Sequence, residues 1–278
     1  MMKTMTISPD RDPMNRVLSA VQAAGSVLLF CHISPDGDTL GSAMALCLRL
    51  GRLGKDARGV LDGDTPANLR FLEAFAPVLA PEEAREPVDL AIAVDVSCRE
   101  RLGACEAAFA AARHTAVVDH HGTNTGFSEA DYIDGDAPAA AVLVFRMLRA
   151  MGGSLSREEA VCLYTALATD TGNFIYAGTN AESFSMMADL MEAGLPLAEY
   201  SRRLFRTKAL PFVRLLGLAL PSLRLSCGGK AAGIRLTAAQ LAQAGAEQSH
   251  ADGVVDYAID LQGVQAAYFA RELGDGRV

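Results

Sequence analysis

Three apolar runs in this chain each empty into metal-ligating residue types, and that pattern limits the fold more than any other feature of the sequence. Ser26-Val27-Leu28-Leu29-Phe30-Cys31 leads into His32-Ile33-Ser34-Pro35-Asp36-Gly37-Asp38. Val88 to Val94 ends at Asp95, and Thr115 to Val118 ends at Asp119-His120-His121. Short apolar runs bounded by turn residues read as buried strands. In open α/β sheets, sites form in the crevice outside the carboxyl ends of the strands. Three strands that end this way therefore belong in one sheet, with their His and Asp side chains facing one crevice. Asp170, in Ala168-Thr169-Asp170-Thr171-Gly172, is a fourth contributor.

The rest of the chain supports that reading. Residues 1–14 read as a leader. Helical patterns follow near 15–24, 39–52, 104–112, 138–151, 156–169 and 181–193, with a further strand near 56–61. Asp64-Thr65-Pro66 fits a helix start with Pro in the first turn. Repeated β-α units imply a parallel sheet covered on both faces. Leu197 to Leu225 differs: Arg202, Arg203, Arg206, Lys208, Arg214 and Arg224 accompany apolar residues at helical spacing, punctuated by Pro211 and Pro221. It reads as a helical linker, either a solvated basic spacer or a basic wall that draws in an anionic substrate. Beyond it, a turn at Gly228-Gly229-Lys230, a helix from Thr237 to Ala244 and strand-like sequence over 254–272 begin a smaller α/β domain. Gly274-Asp275-Gly276 reads as a hairpin turn, after which a returning strand is expected and only Arg277 and Val278 follow. The expected class is α/β, with a parallel-sheet domain at 15–194, a helical linker at 195–224 and a partial second domain at 225–278.

Bulk properties exclude several classes. The 278 residues suffice for two modest domains. No apolar stretch approaches the ~20 residues that span a bilayer, and no apolar segment follows the opening Met1-Met2-Lys3, so the expected location is the cytoplasm, with no membrane partner. Cys31, Cys47, Cys98, Cys105, Cys162 and Cys227 form no C-x-x-C pair and read as small hydrophobes in a reducing compartment. A net charge of -8 argues against long duplex nucleic acid and leaves short nucleotides open.

The ligand-type residues argue for two metal ions. Pro35, Gly37 and the short aspartates favour a tight turn that aims His32, Asp36 and Asp38 at one place; Asp38 also fits a cap on the following helix. Asp95 ends a buried strand, where a carboxylate must be paired, hydrogen-bonded or on a metal; Arg99 and Arg101 are the rival partners. Asp170 sits at the negative end of a helix dipole and calls for a positive partner. Asp36, Asp38, Asp95 and Asp170 would repel one another without cations. Oxygen-rich ligation with a few imidazoles and no thiolate suits Mn²⁺ best, with Mg²⁺, Co²⁺ or Zn²⁺ as alternatives. Two such ions roughly 3.5–4 Å apart would bridge a hydroxide for in-line attack on phosphorus.

As a set, His32-x-x-x-Asp36-x-Asp38, Asp95, Asp119-His120-His121 and Asp170 resemble the four motifs of the DHH phosphoesterase superfamily, in order. Asp95-Val96-Ser97, Arg101-Leu102-Gly103, His120-His121-Gly122-Thr123-Asn124, Thr169-Asp170-Thr171-Gly172-Asn173-Phe174 and the basic segment Arg202 to Lys208 are similar to its nanoRNase/pAp-phosphatase branch. The resemblance implies one metal on His32, Asp36 and Asp95, and another on Asp38, Asp95, His120 and Asp170, with Asp95 bridging. It implies that Asp119 supports catalysis by orienting His120, that His121 contacts the scissile phosphate, and that Arg101 and Asn124 bind substrate. It also implies a DHHA1-like second domain, whose Gly-Gly-Gly-His segment is not found in this sequence. The implied activity is hydrolysis of short oligoribonucleotides and 3'-phosphoadenosine 5'-phosphate (pAp). Cyclic or linear dinucleotide hydrolysis, pyrophosphate hydrolysis and non-catalytic nucleotide binding are the rivals, and a homodimer is left open.

Overall fold

The apolar runs form the central strands of the sheet. In the computed structural model, which describes residues 12–84 and 86–273, the elements run α1 (Pro13–Ala23), β1 (Ser26–Phe30), α2 (Gly37–Arg52), β2 (Asp56–Val60), β3 (Val78–Leu79), β4 (Leu90–Val94), α3 (Glu106–Ala111), β5 (His114–Asp119), β6 (Ala130–Ile133), α4 (Ala140–Met151), α5 (Arg157–Asp170) and α6 (Ala181–Glu192). The strand order is β3-β2-β1-β4-β5-β6, with every pairing parallel. The order reverses between β1 and β4, where chain crossovers leave in opposite directions and open a crevice at the strands' carboxyl ends. His32 follows β1 and Asp95 follows β4, so the switch point lies between them.

Alternate residues of each central strand serve different cores. Val27, Leu29 and Cys31 face the layer holding α1, α2, α4 and α5, while Leu28 and Phe30 face the layer holding α3. Burial on both faces explains the uninterrupted apolar runs. Helix α5 is buried continuously from Glu159 to Ala168. It packs so closely against α2 that a Cβ on Gly41 would strike the Cys162 carbonyl. At the far end of this helix pair Arg49 and Glu159 are buried together: Arg49 Nε and Nη2 each donate to the carboxylate at 2.9 Å, and Arg52 adds a third bond at 2.9 Å.

Some expectations change. The leader gives way to helix by Pro13, because Asp12 caps α1 by accepting the Met14 N–H at 3.0 Å; residues 1–11 lie outside the described residues, as does the turn expected at 274–276. Asp64-Thr65-Pro66 opens only one turn, in which the Leu69 and Arg70 N–H groups reach back to the Pro66 carbonyl at 2.8 and 3.1 Å. A 3₁₀ turn over Arg70–Ala74 follows in place of an α-helix. Strands β3 and β6 were not anticipated.

The chain divides into two compact units at Phe205 and Arg206. The segment 195–224 is thereby split. Helix α7 (Leu197–Ser201) and the π turn after it lie mostly in the first unit, where Arg203 stacks 4.4 Å over the Phe71 ring. Helix α8 (Leu210–Ala219) belongs to the second, since Phe212, Leu215 and Ala219 enter its core with Ala232 and Ile234. That unit also holds β7 (Arg224–Ser226), β8 (Ala231–Leu236), α9 (Ala238–Ala244), α10 (Asp256–Ile259) and β9 (Ala266–Arg271), in a sheet ordered β7-β8-β9. No helix among the described residues is long and apolar enough to cross a membrane.

Candidate metal centre

Asp95 is the hub. It sits at φ 60°, an uncommon conformation for a residue with a side chain. Its N–H donates to the Val118 carbonyl at 2.9 Å, so the last turn of the β4–β5 ladder holds it there. The buried carboxylate points one oxygen each way. Oδ2 lies 3.5 Å from His32 Nε2. Oδ1 lies 3.4 Å from His120 Nε2 and 3.5 Å from His121 Nδ1, yet is buried without a hydrogen bond. An orphaned carboxylate oxygen is costly in a protein interior, and a bound cation would satisfy it.

Three groups of ligand-type atoms surround this hub: His32, Asp36 and Asp95; Asp95, His120 and His121; and Asp38, His120 and Asp170. Asp36 Oδ1 is 3.6 Å from His32 Nε2 and accepts the Asp38 and Thr39 N–H groups at 3.0 and 3.2 Å. His120 Nε2 is 3.8 Å from Asp38 Oδ2 and 3.5 Å from Asp170 Oδ2. Seven of the predicted residues thus converge from the ends of β1, β4 and β5 and from α2 and α5.

Both inner histidines are held by their other nitrogen. His32 Nδ1 is 2.8 Å from the Ile33 carbonyl, and His120 Nδ1 is 3.2 Å from the Ala137 carbonyl. A carbonyl can only accept, so each Nδ1 carries a proton and each Nε2 faces the carboxylates; once Nε2 gives up its own proton, that is the tautomer a metal ligand needs. Arg101 Nη2 also stands 2.8 Å from His32 Nδ1; with that nitrogen protonated the guanidinium only leans on the ring. No carboxylate among the described residues pairs with Arg101.

The electrostatics are those of a site short of positive charge. Burial opposes the His32 imidazolium, but Asp36 and Asp95 outweigh it and push its pKa up to about 10. His120 also rises to about 10, against burial, through Asp95, Asp38 and Asp170. Burial and then Asp95 and Asp170 raise Asp38 well above the carboxylate range. Burial and Asp95 raise Asp170 to about 6, although His120 pulls it down. Burial also pushes the Cys31 thiol up to about 12, so it supplies no thiolate. The donor set is carboxylate and imidazole only, and fits a divalent cation.

Three expected roles change. The cap on α2 is Asp36, not Asp38. Asp38 instead accepts the Ala140 and Ala141 N–H groups at 2.6 and 3.0 Å, together with Ser42 Oγ at 3.0 Å, closing the start of α4, which has no side-chain cap of its own. Asp119 orients His121, not His120: its Oδ1 lies 2.8 Å from His121 Nδ1. Asn124 is not free for substrate, because its amide donates to Asp119 Oδ2 at 2.7 Å and Val96 O at 3.1 Å while its carbonyl accepts from Gly126 at 2.9 Å. Burial works against the Asp119 carboxylate, but His121 and Asn124 hold its pKa below the usual range; Asp119 in turn raises His121. Sequence reasoning also missed Thr39, whose hydroxyl donates to the Val94 carbonyl at 2.7 Å and ties α2 to β4.

Comparison with known proteins gives a consistent result. The model of the DHH family, N-terminal domain, matches residues 26–167. The chain is 33% identical over 264 residues to the bifunctional oligoribonuclease and PAP phosphatase NrnA of Thermus thermophilus, covering 94% of this chain and 76% of that one. It is 22% identical over 262 residues to the Bacillus subtilis protein of the same name, covering 93% and 82%. An exopolyphosphatase-related protein from Bacteroides fragilis has the same fold, with a TM-score of 0.88 at 23% identity over 94% of this chain and 79% of that one.

Proposed function

Because the chain belongs to the DHH family, we propose that it is a metal-dependent phosphoesterase that hydrolyses short oligoribonucleotides and pAp to mononucleotides. The observation that carries this reading is the Asp95 carboxylate, with an oxygen toward each of two ligand groups and one of those oxygens unsatisfied. His32, Asp36 and Asp95 would hold one divalent ion; Asp38, Asp95, His120 and Asp170 would hold the other, with Mn²⁺ the best match to oxygen and imidazole donors. When bound, the ions supply an ionised water at neutral pH and neutralise charge on the phosphoryl group.

The chain's own residues do the rest. Asp119, fixed by Asn124, holds His121 through Nδ1 and favours its protonated form, so the opposite nitrogen can donate to a phosphoryl oxygen. Arg101, with no carboxylate partner among the described residues, is the cation at the rim suited to a second substrate phosphate. The names of the Thermus and Bacillus relatives support the substrate class. The test is phosphate release from pAp, and mononucleotide release from a 5'-phosphorylated dinucleotide, in Mn²⁺ and in EDTA. Turnover of both in Mn²⁺ alone is expected. No turnover by protein that titrates with two Mn²⁺ ions would overturn the assignment.

A further inference from the structure

The turn after Asp170 holds a strained backbone and sends two large apolar side chains into water. Gly172, Asn173 and Phe174 stand in succession at φ 57°, 57° and 69°. Two consecutive non-glycine residues in that region are unfavourable and persist only when the surroundings enforce them. Here they do: Asn173 N–H donates to the Ala168 carbonyl at 2.6 Å, Phe174 N–H to Thr171 Oγ1 at 3.1 Å, and the Ile175 and Tyr176 N–H groups to the Thr171 carbonyl at 3.0 Å. Phe174 turns inward, against the core and the Phe184 ring. Ile175 and Tyr176 turn outward and are 81% and 62% exposed.

Tyr176 is nonetheless fixed. Its ring packs over Gly172 so closely that a Cβ there would overlap it. With His120, Asp170, Pro138 and Thr179 it lines a cleft of about 270 Å³, and the Thr179 hydroxyl, shielded from water, has no hydrogen-bond partner. An occupant of this cleft must bring a group that suits the metal centre on one side and a flat apolar face on the other. A nucleotide does both.

We propose that Tyr176, braced by Gly172 and flanked by Ile175, is the surface on which a base of the nucleotide substrate stacks while its phosphate lies at His120 and Asp170. The proposal rests on the phosphoesterase reading and adds how the nucleoside is held. Stacking of this kind is tolerant of base identity, since every base has a π face, so the site would accept mixed sequences.

The test uses the full chain and a 5'-phosphorylated dinucleotide with 2-aminopurine at each position in turn, mixed rapidly in Mg²⁺. Wild-type protein should quench the fluorescence at one position. Tyr176→Ala should bind roughly tenfold to a hundredfold more weakly and not quench, and Tyr176→Phe should restore both. In Mn²⁺, wild-type preference for that dinucleotide over one abasic at the same position should collapse by a similar factor in Tyr176→Ala. Equal quenching and affinity in wild type and Tyr176→Ala would overturn the proposal even with turnover intact. Absence of quenching by wild type would overturn it as well. If no substrate is turned over, the phosphoesterase reading falls, and quenching still decides the stacking. Unchanged quenching in Tyr176→Ala together with a smaller sedimentation coefficient than wild type would overturn it and assign the patch to self-association.

Discussion

The two ends of the α2–α5 helix pair both bury charge, and they treat it in opposite ways. At one end the Glu159 carboxylate receives Arg49 and Arg52, and Arg49 also donates to the carbonyls of Leu148 and Gly152 at 2.8 and 2.5 Å. Donors and acceptors balance within the chain. At the other end Asp38 and Asp170 converge with Asp95 on a single imidazole, and one Asp95 oxygen has no hydrogen bond. The contrast separates two uses of buried charge. A structural pair is complete in itself, whereas the acidic end becomes complete only when something positive arrives.

Substitutions at the two ends should therefore diverge. The largest expected effect is on chemistry: Asp95→Asn should reduce phosphate release to background and abolish Mn²⁺ binding by calorimetry. Asp170→Asn should instead raise the melting temperature in EDTA, because burial and Asp95 disfavour the Asp170 carboxylate. If Asp170→Asn melts lower in EDTA, the acidic end is balanced after all. Next, Glu159→Gln should destabilise the fold by about 3–5 kcal/mol, the usual result of stranding one partner of a buried pair, measured by urea unfolding in EDTA. Smaller again, Asn124→Ala should lower turnover by roughly 10–100-fold by releasing Asp119 from its hold on His121. Mn²⁺ affinity should change little, because neither Asp119 nor Asn124 belongs to the proposed ligand set.

The smallest expected effect is in pH dependence. His32 and His120 have folded pKa values raised to about 10 from 6.5, so their contribution is complete below pH 6.5 and is lost as pH rises through about 10. Asp170 has the same sense at lower pH, lost between 3.8 and about 6. Glu159 is opposite: its pKa is lowered, and its contribution is lost as pH falls below 4.5. In EDTA the melting temperature should fall by a few degrees between pH 7 and 10. With Mn²⁺ the trend should reverse, since ligation must displace the histidine protons. Parallel curves with and without Mn²⁺ would contradict the proposed ligand set.

Sequence alone revealed the sheet's centre and most of the site for the same reason. A strand buried on both faces must be apolar along its length, so the first charged residue after it marks its end. His32, Asp95 and Asp119 stand out on that ground. Strands β3 and β6 did not, being two and four residues long at the sheet's edges, where burial is only partial. The partnership of Asp119 with His121 was within reach. Alternate residues of an extended chain point the same way, so Asp119 and His121 share a side while His120 faces the acids. The destination of Asp38 was hidden, because its partners at Ala140 and Ala141 are main-chain groups about a hundred positions away. The faint clue was that α4 opens at Ala139 with no capping side chain.

The hold of Asp38 on the first turn of α4 makes that turn a reporter of occupancy. The Ala140 and Ala141 amides donate to the carboxylate oxygens that a cation would share. Their proton resonances should move upfield as Mg²⁺ draws electron density from Asp38, although neither residue is a ligand. Titration of the chain could then be followed from two backbone signals, with no substrate present and no chemistry under way.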